Sequence, residues 1–513
     1  MNELQGLMRT AYSGSMLSRI GAFWRGCWET SVLRRLLVWL MSLPYPYESS
    51  RAHGRLDRLN RRLAGADSVR SAIYTSRLQR IWAAIARVGR ESRLLGWVFR
   101  EGATGVLLLI LALYTPIDYF LRDVFAIPVV SSGWDEGLLL FALVWVLVVR
   151  IKDRPALPPA DSPLDLPVAQ FLAVCLALFI LRLRLVRINI AGFRATAQYI
   201  LWFFIATRLI RSDRLLGILY GVMVAVAAVI ALHGIYQFIV AVPIPEHWVD
   251  QAESTVRTRV FSIFGSPNIM GDFMVMFAPM AAALAYFFKN RLLQLGCWLA
   301  AFTMCFSCLF TMSRGAWVAM VLAIFLFALL VDRRLIVLML AAFALALFLP
   351  FVATRIGYLF TSDYAASSAR GGRSVRWEQT IHYLHAFSPA FGIGFGMFGG
   401  AVAMQNPVSP WMKYFYTDNY YIKILAENGY VGLVSFILMM VGVVWTGLRG
   451  WFRQRHEPQA PLCAGTLAGL CGVLAHCYFE NIFEEPYMAV CFWTIAAMMM
   501  YLGFIRDRIA QPQ

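Results

Sequence analysis

Charge is scarce in this chain. Of its 513 residues 15% are Asp, Glu, Lys or Arg, where soluble domains carry roughly 25%, so too little charge is present to cover a water-facing surface. A soluble class is excluded. Lysine is missing altogether from residues 1–100, which hold 17 Arg and 6 acidic residues. Alone, such a stretch would suggest nucleic acid. Beside repeated apolar runs it reads as a positive-inside flank drawn to anionic lipid, and nucleic acid is not an expected partner. No leader-like apolar segment occurs early, since the first long hydrophobic run begins after about a hundred residues. "GIGFGMFGG" (Gly392–Gly400) lacks any βαβ context, which excludes a dinucleotide fingerprint. "CFSC" (Cys305, Cys308) has redox or metal spacing, but it lies mid-helix without companion ligands and reads as small apolar packing. No cofactor or metal is expected. No internal repeat supports an inverted-repeat transporter.

Oil is abundant instead. Hydrophobic residues make up 60% of the chain and mean hydropathy is +0.63. Apolar runs of about 17 to 22 residues predict an all-α, polytopic membrane protein. About twelve transmembrane helices are expected, near 103–121, 136–150, 167–183, 190–208, 214–240, 268–288, 293–312, 315–331, 334–352, 419–446, 462–480 and 487–505. The second is short and has room to begin earlier. Two regions follow: a basic, amphipathic, cytoplasmic or membrane-surface segment at 1–100, and a transmembrane domain at 101–513. Within the first, Leu78, Ile81, Ile85, Val88, Leu95 and Phe99 form a helical stripe over Ser76–Phe99 suited to the membrane surface. "LLVWLMSLPYP" (Leu36–Pro46) is too short to span and reads as interfacial.

With the basic N-terminus inside, the loops "RIKDRP", "RLIRSDR", "FFKNR", "DRR" and "RGWFRQRHE" and the "RDR" tail all fall on the cytoplasmic side of a plasma membrane. Both termini are then cytoplasmic. The outer side receives "DEG", "PEHWVDQAE", "ENIFEEP" and a long loop, 353–418, between the ninth and tenth spans. Two outer regions break the charge rule. "RLRLVR" (Arg182–Arg187) holds three arginines, and the long loop holds four Arg and one Lys against two Asp and one Glu. Long loops translocate largely regardless of charge, so a solvated loop and a ligand-binding loop both remain open for the second.

The polar features gather on this outer face. "RTRVFSIFGSPNIMGDF" brings Arg257 and Arg259 ahead of a Gly-Ser-Pro-Asn break. "TMSRGAW" places Arg314 at a helix junction, and "GGRSVRW" adds Arg373 and Arg376. "TDNYYIKILAENG" opens the tenth span with Asp418. Guanidinium forks match the oxygens of a diphosphate, and a neighbouring carboxylate can take a proton from a sugar hydroxyl. Each residue also has a plainer reading. Arg314 fits a snorkelling role, and the loop arginines fit a solvated surface. Asp418 fits an N-cap, and Lys423 with Glu427 fits an i, i+4 pair. Asp272, about one turn inside the sixth span, is costly to bury and keeps a transporter reading open.

In this order, "FGSPNIMGDF", "TMSRGAW", "GGRSVRW", "PAFGIGFGMFG" and "DNYYIKILAENGYVGL" resemble the O-antigen ligase/polymerase superfamily of bacterial membrane glycosyltransferases. The resemblance spans roughly residues 257–433 and leaves out the first hundred. It implies a metal-independent, inverting glycosyltransferase that moves a glycan from a polyprenyl-diphosphate-linked oligosaccharide to a glycan or lipid-glycan acceptor at the outer face of the membrane. By the same resemblance Arg314 matches the Ser-Arg-Gly arginine and Arg373 that of the G-R-x-x-x-W segment, with Arg376 as a neighbour. Arg259, with Arg257 as second choice, matches the arginine before the Pro-Asn break. All five would bind diphosphate, with Arg314 and Asp418 catalytic. Ligases of this group carry histidine where this chain has Asp418, which shifts the expectation toward a polysaccharide polymerase or a ligase with another acceptor. A small-anion transporter and a non-catalytic assembly partner are the other readings. A flippase or chain-length protein fits as a partner.

Overall fold

The computed structural model describes residues 67–510 apart from 94, 153–160, 246–257, 410 and 411, together with scattered positions between 31 and 62. Arg257 and the segment Leu36–Pro46, apart from Trp39, lie outside the described residues. The chain divides into compact units at 1–55 and 56–513. The helix α1 (Arg77–Glu91) therefore belongs to the same unit as the apolar bundle, held there by Lys152 Nζ donating to Gln79 Oε1 at 3.0 Å. Ser76 caps α1, and Ser92 ends it before the expected stripe is complete. Leu78, Ile81, Ile85 and Val88 stay exposed along it.

All regular structure among the described residues is helical. The bundle comprises α2 (Gly102–Ala112), α3 (Pro128–Lys152), α4 (Asp165–Leu181), α5 (Val186–Ala197), α6 (Leu201–Leu209) and α7 (Asp213–Val240), then α8 (Pro267–Phe287), α9 (Arg291–Phe310), α10 (Arg314–Leu330) and α11 (Arg334–Leu347). After these come α12 (Pro350–Gly357), α13 (Arg373–Phe387), α14 (Tyr420–Gln454), α15 (Ala460–His476) and α16 (Pro486–Met500). The twelve expected spans all overlap helical residues. The second does begin earlier, at Pro128.

Length and composition are more selective. Among the described residues five helices are long and apolar enough to cross a membrane, and seven if each of two bent pairs counts as one span. Among the rest, α3 has 25 residues but carries Asp135, Glu136, Arg150 and Lys152, and the others are shorter or broken. The fourth expected span is broken by a 3-10 turn at Gln198–Ile200, and α4, α10 and α15 have 17 residues each. Near Pro350 the ninth expected span turns by 86°. Leu349 adopts extended backbone there, as a residue before proline prefers, and the chain restarts as α12. The loop 353–418 is accordingly helical over much of its length.

The core is built around α8 and α16, which are buried along almost their whole length. Gly465, Gly469 and Gly472 on α15 bring it directly against α8, where a side chain at Gly469 would strike the Met276 carbonyl. This close packing sets the ends of α8, α10 and α15 beside one another, and the loops at those ends carry the polar groups described next.

Candidate functional site

Asp418 owes its position to its two chain neighbours and to its own backbone. Thr417 is fully buried, and its hydroxyl lies 3.1 Å from Asn481 Oδ1 and 3.2 Å from the Gly399 carbonyl. Asp418 itself adopts a left-handed conformation, φ 47°, a region in which Asp, Asn and His are the side chains best tolerated. Asn419 then caps α14, its side chain accepting from Ile422 N at 3.1 Å. The cap is thus Asn419, and the Asp418 carboxylate is left for other partners. The same steric rule explains why aspartate can stand where the family resemblance leads one to expect histidine.

Those partners are the arginines of α13. Arg376 Nη2 lies 2.7 Å from Asp418 Oδ2, and Arg373 Nε lies 3.8 Å from the same oxygen. Arg376 also donates to the Tyr416 carbonyl at 2.8 Å, and Trp377 Nε1 donates to the Thr417 carbonyl at 2.7 Å. Consecutive residues of "GGRSVRW" therefore clasp residues 416–418. The sequence resemblance singled out Arg373, yet the nearer guanidinium is that of Arg376.

Arg259 and Arg314 complete the group. Arg259 donates through Nε to the Thr311 carbonyl at 3.0 Å and through Nη2 to Asn268 Oδ1 at 3.1 Å. Burial pushes its guanidinium down to about 10; the Glu480 charge opposes this shift, and the charges of Arg314 and Arg373 add to it. Arg314 begins α10 behind its cap Ser313 and stands over the Tyr358 ring at 5.5 Å. Of the five expected arginines, Arg373 and Arg376 thus stand on Asp418, and Arg259 lies within the fields of Arg314 and Arg373.

Glu480 and Asn268 were not among the expected site residues. Asn268 Nδ2 donates to Glu480 Oε2 at 2.7 Å, and Glu480 Oε1 accepts from Asn481 N at 3.0 Å. One amide therefore links Arg259 to Glu480. Burial and then the Asp418 charge hold the Glu480 carboxyl above its ordinary range, while the two amide donors and the nearby His476 pull it down. The only sequence signal was the Asn that follows Pro267 in the "GSPN" break, together with an acidic loop.

The supporting layer is ionic and glycine-rich. Lys423 Nζ lies 2.9 Å from Glu427 Oε2 and 3.5 Å from Glu484 Oε1. Glu427 Oε1 in turn accepts from Gly396 N at 2.9 Å, and Ala401 N donates to Glu484. Residues 389–401 so form a strap whose backbone pairs with α14 on both sides of Gly429, through Ile393 N to Ala426 O at 2.8 Å and Tyr430 N to Pro389 O at 2.9 Å. Gly429 breaks α14 with φ 66° and ψ −170°, backbone open essentially to glycine. The "RLRLVR" turn is latched to the same strap by Asn189, which accepts from Arg184 N and donates to the Phe395 carbonyl at 2.8 Å.

Asp272, which kept a transporter reading open, is fully buried and lies 3.2 Å from His476 Nδ1. His476 thus pairs with Oδ1, while Oδ2 is buried without a hydrogen-bond partner among the described residues. A separate buried network joins Asp118, Arg122, Trp134, Asp135 and Tyr199. Among the described residues no group of three or more His, Cys, Asp or Glu has metal-ligand geometry. Residues 299–437 match the family model for O-antigen ligase. That stretch contains Arg314, Arg373, Arg376, Asp418, the strap and Gly429, and it stops short of Arg259, Asn268 and Glu480. No curated protein matches the chain.

Proposed function

We propose that this multi-pass membrane protein, which matches the O-antigen ligase family over residues 299–437, transfers a glycan from a polyprenyl-diphosphate carrier to a hydroxyl acceptor at the outer face of the plasma membrane. The observation that supports it is a cluster in which Arg373 and Arg376 stand on the Asp418 carboxylate and Arg259 lies within the fields of Arg314, Arg373 and Glu480. Four guanidiniums suit a diphosphate, whose oxygens they can grip in pairs. During transfer the acceptor oxygen forms a bond to the anomeric carbon from the face opposite the carrier. The bond from that carbon to the diphosphate oxygen breaks, and its electron pair leaves on the diphosphate. Fixed positive charge at that point stabilises the transition state, the work a divalent cation does in other glycosyltransferases. The acceptor proton passes to a carboxylate of the cluster, a role that the sequence resemblance gives to Asp418.

Polymerisation of glycan repeats is the preferred form, with transfer to another acceptor as the alternative. The test gives purified protein a lipid-diphosphate-linked oligosaccharide in the presence of EDTA and follows product length. A ladder of repeats is expected. Single additions to a foreign acceptor would make the protein a ligase. Loss of product with EDTA, restored by a divalent metal, would overturn the metal-independent mechanism. Absence of product with and without metal would overturn glycosyl transfer.

A further inference from the structure

The acceptor proton is best taken by a carboxylate that is not itself paired with the cations that hold the diphosphate. Two carboxylates stand near the arginine group. Asp418 presents Oδ2 to Arg376 at 2.7 Å and to Arg373 at 3.8 Å. That oxygen is thereby engaged with two of the guanidiniums that would grip the diphosphate. Glu480 is held differently. Its two hydrogen-bond donors among the described residues are the neutral Asn268 side-chain amide and the Asn481 backbone amide. Each oxygen accepts one such bond and has a second lone pair to spare. Glu480 therefore stays in the cluster without being bound to an arginine.

Its location is as telling as its partners. Asn268 accepts from Arg259 through Oδ1 and donates to Glu480 through Nδ2, so this one side chain fixes an arginine and a carboxylate relative to each other. An arginine gripping the departing diphosphate and a carboxylate facing the incoming hydroxyl need such a fixed separation.

We propose that Glu480 takes the proton from the attacking hydroxyl, and that Asp418 is a positioning residue that aims Arg373 and Arg376 at the diphosphate. This rests on the glycosyl-transfer reading above. In the step, the acceptor O–H bond breaks and its proton moves to Glu480. The freed oxygen pair forms the new glycosidic bond, and the carrier leaves as its diphosphate. The upward shift of the Glu480 carboxyl by burial moves it toward the range in which a base works near neutral pH. Asn268 is then a second positioning residue, and the break that it opens at the start of α8 has a defined task.

The test uses the full-length protein in detergent, with two readouts: binding of undecaprenyl diphosphate by native mass spectrometry, and turnover of lipid-diphosphate-linked oligosaccharide. Glu480→Gln is expected to bind undecaprenyl diphosphate within about threefold of wild type and to lose about 100-fold or more in turnover. Glu480→Asp, which keeps the carboxylate, is expected to regain at least about tenfold over Glu480→Gln. Asp418→Asn is expected to show the opposite split, with weakened diphosphate binding and residual turnover at saturating donor. Glu480→Gln turning over within about tenfold of wild type would overturn the assignment, as would an Asp418→Asn protein that binds diphosphate normally and has no turnover. Wild-type protein that binds no undecaprenyl diphosphate and makes no product would overturn the glycosyl-transfer reading itself.

Discussion

Lys423 offers a sharp quantitative test of what holds the site together. Its side chain is 2% exposed, and its two carboxylate partners, Glu427 and Glu484, are 1% and 10% exposed. Replacing Lys423 by Met removes the only cation among three buried charges and leaves two carboxylates facing an apolar side chain. Removing one partner of a buried ion pair costs about 3–5 kcal/mol, because the remaining charge is desolvated without compensation. On that scale the folded-to-unfolded ratio drops by roughly two to four powers of ten. Removing all three charges is different. The triple variant Lys423→Met, Glu427→Gln, Glu484→Gln keeps acceptor oxygens for Gly396 N and Ala401 N and has no orphaned charge. Neutral replacement of a buried ionic cluster is often close to neutral in stability, so the triple variant should recover most of the loss. Equilibrium unfolding in mixed micelles titrated with SDS and followed by circular dichroism measures both. A single variant within about 1 kcal/mol of wild type would refute the argument. So would a triple variant no more stable than the single one.

Two further outcomes follow from particular geometries. Gly429→Ala places a Cβ 2.4 Å from the Ala390 carbonyl oxygen and forces alanine into backbone reserved for glycine. A loss of about 1–3 kcal/mol from backbone strain alone is expected in the same unfolding assay, with the clash adding to it, and unchanged stability would show that the strap does not pack there. Glu485 is held at about 7, against 4.5 for an ordinary glutamate, chiefly by burial. The folded protein therefore binds one more proton than the unfolded chain between these values, and wild-type stability falls as pH rises from about 4.5 to about 7. Glu485→Gln should show a shallower slope, lacking the Glu485 share, and be the more stable protein above pH 7, so parallel stability curves for the two would count against it.

The arginine group was legible because each member sits in a short, ordered motif, and because basic residues on the side opposite the basic loops demand a reason. Glu480 was not legible. Its meaning depends on Asn268, 212 residues away, and no periodicity or local spacing records such a contact. Thr417, Asp418 and Asn419 are all side chains that cap helices, so the sequence could not choose among them. The left-handed turn at Asp418 makes the choice, by handing the cap to Asn419. Lys423 and Glu427 announced themselves by their i, i+4 spacing, but the third charge, Glu484, arrives from beyond α15. The apolar run 334–352 reads as one straight crossing, because hydropathy is blind to direction. Pro350, near its end, is what turns it.

That turn ties the chemistry to the membrane itself. α12 leaves α11 at nearly a right angle and so runs along the bilayer surface wherever α11 stands upright. It carries Arg355, which donates to the Met312 carbonyl at 3.1 Å, and leads straight into Tyr358, the ring beneath Arg314. A change in lipid chain length that tilts α11 must therefore lift or lower the platform under that arginine. Bilayer thickness becomes a variable of the candidate site, and the proposed transferase activity across reconstituted membranes of graded acyl length should show an optimum.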